Sequence, residues 1–132
     1  RAQDSLDAVV DEAIASDVSA GERIRSLIHG AIAVLCNDQE AVTLLLRLRG
    51  NSELEKRALQ RRREFTRRVI PLIDAAQASG EVRSDLDTGV LTRLMFGTVN
   101  SVIEWYEPGG RLSPDEIARH AVVLLFGGAA RD

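Results

Sequence analysis

An all-α fold is predicted for this chain, and three observations carry the prediction. No segment alternates apolar and polar residues with period two for long enough to make a strand. Three S-x-x-E boxes mark helix starts: Ser19 with Glu22, Ser52 with Glu55, and Ser113 with Glu116. In each, the serine hydroxyl can accept from a free backbone N–H while the glutamate reaches back to the cap. Stops fall at Gly50, Gly80 and Gly127-Gly128, where glycine can adopt the left-handed conformation that ends a helix. These signals give six helices, at about 4–16, 20–36, 39–49, 53–79, 88–106 and 114–126.

The first helix carries Asp4, Asp7, Asp11 and Glu12, followed by Asp17, which suits a solvated element. The second places Ile24, Leu27, Ile28, Ala31, Ile32 and Leu35 on one side, an ordinary core face. The third is expected to bury Ala41, Leu44, Leu45 and Leu48 and to leave Arg47 and Arg49 outside. The fourth is long. Its apolar stripe runs Leu54, Ala58, Phe65, Val69, Leu72, Ile73 and Ala76, and Pro71 should kink it.

Arg62 interrupts that stripe between Ala58 and Phe65, while Arg61 and Arg68 lie at its edge. Lys56, Arg57, Arg61, Arg63 and Arg67 read as a solvated basic face. Arg62 needs more explanation, because an unpaired buried charge costs several kcal/mol, roughly. An internal salt bridge, a ligand anion or snorkelling to the surface would each satisfy it.

The fifth helix is apolar over roughly 240° of its circumference. The sixth is surrounded at its end by Val122, Val123, Leu124, Leu125 and Phe126. One domain of 132 residues has too little protein to cover two such helices on every side. A two-fold homodimer, pairing both helices with their copies as a four-helix bundle, resolves the excess. The candidate interface residues are Phe96, Val99, Ile103, Val123 and Phe126.

Composition narrows the function classes. Hydrophobic residues make up 45% and charged residues 28%, the mixture of a folded domain. A net charge of −3 argues against the whole chain being a nucleic-acid-binding module. The single cysteine, Cys36, cannot form an internal disulfide, which fits a reducing, cytoplasmic location. No apolar run is long enough to span a membrane, so no membrane partner is expected. His29 and His120 are not in zinc-ligand spacing with Cys36 or a carboxylate. No nucleophile elbow, P-loop or dinucleotide fingerprint is present. No metal, cofactor or catalytic residue is expected.

The run Trp105-Tyr106-Glu107-Pro108-Gly109-Gly110-Arg111-Leu112-Ser113-Pro114-Asp115-Glu116-Ile117-Ala118 closely resembles the turn between the last two helices of TetR-type transcriptional regulators. The similar subset includes actinobacterial regulators of sterol and fatty-acid catabolism. Gly80 through Asp87, and Gly97 with Asn100, agree with it. The resemblance covers roughly residues 20–128. It implies a repressor subunit of two parts: an N-terminal helix-turn-helix domain that binds operator DNA, and an all-α C-terminal domain that dimerises and holds a small effector.

This chain looks like the second part only, a single effector-binding and dimerisation domain over 1–132. It begins at Arg1 without a methionine, which fits a truncated start, and operator binding is expected only through the missing N-terminal domain. The resemblance implies a pocket lined by His29, Ile32, Arg62, Phe65, Thr66, Val69, Met95 and Asn100. It also implies a small hydrophobic effector of acyl-CoA or lipid origin that releases the operator. A helical protein-interaction adaptor and a small all-α enzyme acting on an anionic substrate are the rival readings.

Overall fold

The computed structural model describes residues 2–47 and 52–129, all helix and connection, with no strand among the described residues. The elements are α1 (Ala2–Ala15), α2 (Ala20–Asn37), α3 (Gln39–Leu46), α4 (Glu53–Ser79), α5 (Thr88–Asn100), α6 (Val102–Trp105) and α7 (Pro114–Ala129). The predicted helix over 88–106 is therefore two pieces, with Ser101 at the joint.

All three serines cap as predicted, accepting from the backbone N–H of Glu22, Glu55 and Glu116. The box closes reciprocally at Ser113, whose N–H donates to Glu116 Oε1 at 2.9 Å. At Ser19 the glutamate turns outward instead and pairs with Arg25 at 3.0 Å. A carboxylate from another part of the chain, Glu81, takes the Ser19 hydroxyl at 2.9 Å and also accepts from the Ser79 hydroxyl. Gly21 makes room for it. A Cβ there would lie 2.3 Å from Glu81 Oε2.

Helix α2 is the central element. Ile24, Leu27, Ile28, Ile32 and Leu35 are all nearly inaccessible, and α1, α4, α5 and α7 pack around them. Burying a side chain of this kind contributes about 1.5–3 kcal/mol. Gly30 lets α1 approach closely, since a Cβ there would meet Val9 Cγ1 at 2.6 Å. Gly80 ends α4 at φ 84°, in the left-handed region expected of it.

Several expectations are corrected. Among the described side chains of α3 the buried one is Val42, with Leu46 packed beside it, whereas Ala41 is exposed and Leu44 is 68% exposed. Three consecutive leucines made the face ambiguous by periodicity. The Leu45 side chain and Leu48, Arg49 and Gly50 lie outside what is described. Leu54 is 75% exposed and leaves the α4 stripe to begin at Ala58. Pro71 is exposed inside the unbroken run of α4, which a kink at that residue would also leave unbroken. Gly127 and Gly128 do not stop α7, which continues to Ala129.

The acidic first helix is not simply solvated. Asp4 and Asp7 accept from Arg61 Nη2 at 2.7 and 2.8 Å, and Asp11 pairs with Arg68. Acidic residues three and four apart on α1 thus meet arginines seven apart on α4, each set repeating along one helix face.

Candidate functional site

A half-open cavity of about 270 Å³ lies where five helices converge. Helix α1 supplies Gln3 and Leu6, α2 Ala31 and Leu35, and α3 Val42 and Leu46. Helix α4 supplies Leu59, Arg62, Arg63, Phe65 and Thr66, and α5 supplies Phe96 and Asn100. The wall is mostly apolar with a few polar groups, the usual make-up of a small-molecule site. Phe65 and Phe96 meet edge to face, with centroids 5.4 Å apart and planes at 70°. That contact fixes the α4–α5 side of the cavity.

Arg62 enters this cavity because it occupies the apolar side of α4. Its neighbour one turn on, Thr66, is held in place by donating its hydroxyl to the Arg62 carbonyl at 3.2 Å. Desolvation lowers the pKa of the Arg62 guanidinium from its ordinary value, although an arginine keeps its charge through such a shift. Gln3 is 6% exposed and donates its amide to Asp7 at 3.1 Å, which joins the cavity wall to the Asp7–Arg61 ion pair. The Arg61 guanidinium holds the Asp4 carboxyl below the usual carboxylate range. Cys36 is buried, and burial pushes its thiol up, away from the reactive thiolate.

The structure brings together four of the residues expected to line a pocket: Arg62, Phe65, Thr66 and Asn100. The other four lie elsewhere. His29 stands on the flank of α2 with Nδ1 3.7 Å from Asp115 Oδ1. Ile32 and Val69 are fully buried in the core. Met95 faces a small apolar hollow of about 30 Å³ beside Ile24, Ile73 and Phe126. Each of these is on an expected helix but outside the wall of this cavity.

The residues expected at a dimer seam also separate. Val99 is fully buried within the subunit, and Phe96 turns into the cavity. Ile103 is half-buried against the core. Phe126 is half-buried under the Arg25 guanidinium, which lies 4.2 Å from the ring centroid. Val123 is 68% exposed. The apolar excess instead surfaces at Val90, Leu94, Val123 and Leu124.

Gln3, Leu6, Ala31, Leu35, Val42, Leu46, Leu59, Arg63 and Phe96 also line the cavity and were not among the residues expected there. Periodicity reports which way a side chain points, not whether the space it points into is filled. The exception is Arg63. It is next to Arg62, so a helix face wide enough to admit one brings the other to its edge.

Among the described residues no cluster of three His, Cys, Asp or Glu side chains could hold a metal ion, and no helix is long and apolar enough to cross a membrane. An all-α bundle with a half-open apolar cavity and an arginine in its wall has the make-up of a small-molecule-receiving domain. The profile of the tetracyclin repressor-like C-terminal domain matches residues 17–129, so the chain belongs to the TetR family of transcriptional regulators, which are not enzymes.

Solved structures agree. SCO3833, a TetR-family member from Streptomyces coelicolor A3, is 41% identical with a TM-score of 0.89, covering 99% of this chain and 67% of that one. AibR, solved in complex with isovaleryl coenzyme A and operator DNA, shares the fold at 21% identity and TM-score 0.81, over 95% of this chain and 69% of that one. The repressor KstR2 of Rhodococcus jostii strain RHA1 is 26% identical over 102 residues, or 77% of this chain. The chain spans 47% of that repressor's length.

Proposed function

We propose that this chain is the effector-binding and dimerisation domain of a cytoplasmic TetR-type repressor, and that filling its cavity releases operator DNA. The effector is small and largely apolar, of acyl-CoA or lipid origin, with its acidic or carbonyl end at Arg62. The observation that carries this reading is the cavity itself, apolar on most of its wall with Arg62, Thr66 and Asn100 as its orienting groups. AibR, of the same fold, was solved with an acyl-CoA and operator DNA, which supports the effector class.

Helix α1 supplies Gln3 and Leu6 to the cavity, so an occupant touches the first helix of the domain directly. A helix-turn-helix domain joined to α1 would contact the operator. The exposed Val90, Leu94, Val123 and Leu124 provide the surface for a second copy.

Thermal unfolding with a series of fatty acids, their neutral esters and CoA thioesters tests the reading. A ligand that binds only the folded state raises Tm with concentration. Arg62→Ala should weaken binding of an acid more than binding of its neutral ester. Equal losses would make Arg62 structural, and no stabilisation by any member of the series would overturn the effector class.

A further inference from the structure

One wall of the cavity continues onto a basic surface that the core of the domain does not use. At about 100° per residue along α4, with Arg62 as origin, Leu59 and Thr66 lie about 40–60° to one side. Arg63 follows at about 100°, Lys56 at about 120° and Arg67 at about 140°. Arg61 and Arg68 lie at similar angles on the opposite side, where α1 supplies Asp4, Asp7 and Asp11 as partners.

The two flanks therefore differ. Arg61 and Arg68 are paired with α1, whereas Lys56, Arg63 and Arg67 are exposed and make no ion pair among the described residues. Glu64, on the same stretch of helix, is exposed and pairs with none of them. Arg63 belongs to both regions, since it lines the cavity and is exposed outside it.

Resting on the reading of the cavity as an effector site, we propose that Lys56, Arg63 and Arg67 form a second, external subsite for the phosphate groups of an acyl thioester of coenzyme A, whose acyl chain occupies the cavity. The size of the cavity supports this division. At about 270 Å³ it lies near the lower bound of small-molecule pockets, so it can enclose an acyl group but not the much larger carrier. Arg63 both lines the cavity and is exposed, which puts it at the cavity's edge. Along the helix axis Arg63 and Arg67 are about 6 Å apart, and Lys56 and Arg63 about 10 Å. That spacing suits several phosphates spread along one ligand better than a single carboxylate. Arginine forks favour such groups.

Isothermal titration of the chain with octanoyl-CoA, octanoyl-pantetheine and octanoic acid tests the proposal. Octanoyl-pantetheine keeps the thioester and removes every phosphate. At low salt octanoyl-CoA should bind about tenfold tighter than octanoyl-pantetheine, the advantage expected of two or three exposed charge contacts. Raising the ionic strength to about 0.5 M should remove most of that advantage.

Lys56→Gln/Arg67→Gln leaves the cavity lining intact. It should cut octanoyl-CoA affinity about fivefold or more while changing octanoic acid less than twofold. Equal affinity for the two thioesters, or an unchanged ratio in the double variant, overturns the external subsite and leaves the cavity reading standing. Binding of octanoic acid with neither thioester binding overturns it too, because the carrier would then be excluded. If none of the three ligands binds, the effector reading fails and this inference fails with it.

Discussion

The cavity between α1 and α4 and the outward residues of α5 and α7 are both apolar, yet they differ in shape and in where charge is placed. The cavity is concave, fenced by Phe65 and Phe96, and its charges are placed at defined points: Arg62 in the wall, Arg63 at the rim, and Arg61 tied back to Asp4 and Asp7. The α5–α7 face is open. Val90 and Leu94 project from α5 and Val123 and Leu124 from α7, and Gly97, Gly127 and Gly128 have open space where a Cβ would stand. A hollow with fixed polar groups selects a ligand by its chemistry. An open surface of apolar side chains and small residues is what a second copy of the chain would cover under the proposed function. Helix α5 serves both regions and the core, turning Thr92, Met95 and Val99 inward, Phe96 and Asn100 to the cavity, and Val90 and Leu94 outward.

The sharpest way to break this contrast is Val123→Asp. At 68% exposure the substitution spares the subunit core, but two carboxylates would face one seam. Burying them unpaired costs several kcal/mol, on the order of enough to shift a micromolar dimer to monomer. Sedimentation should show the parent near twice 14.4 kDa and the variant largely monomeric and still helical. A parent that sediments as a monomer at tens of micromolar, roughly, would remove the second region's role.

Val99→Ala sharpens the contrast from the other side. Val99 is fully buried one turn from Phe96, so the lost methyls should cost about 2–3 kcal/mol of stability, including the hollow left behind. Denaturant unfolding should register that loss while the sedimentation coefficient stays that of the parent. Dissociation without loss of stability would place Val99 at the seam after all.

The smallest expected effect concerns the connection between the regions, where α4 hands over to α5. Glu81 there accepts from the Gly21 backbone and from the Ser19 and Ser79 hydroxyls, and these bonds, in that order, hold its carboxyl below the ordinary glutamate range. A depressed pKa in the folded state means that the unfolded chain binds the proton more readily. The stabilising contribution is therefore present above the ordinary glutamate pKa, about 4.3, and is lost as pH falls below it towards the folded value. Tm measured against pH should fall on the acid side in the parent, and Glu81→Gln should flatten that limb slightly. An unchanged acid limb would mean that other carboxylates, Asp4 and Asp85 among them, carry the whole dependence.

Much of the architecture was legible in the residues. The serine caps of α2, α4 and α7, the glycine stop at Gly80 and the core face of α2 all lie where local chemistry put them. These features depend on contacts within one or two turns, so the sequence contains all the participants. The excess of apolar surface on the last helices was legible for the same reason, because it follows from counting side chains around an axis.

What the tertiary structure alone decided was how the helices are rotated and how deep each one sits. That choice sent Val99 to the core, Phe96 to the cavity and Leu94 to the surface, although all three belong to one apolar helix. It paired Arg61 and Arg68 with an acidic helix more than fifty residues away and left Arg63 and Arg67 outside. It also brought Glu81 to the N-terminus of α2, across a separation of 62 residues from Ser19. A helix's own periodicity sets the directions of its side chains relative to one another. Only packing against the other helices sets where those directions point, and so which of them meet protein, a void or solvent.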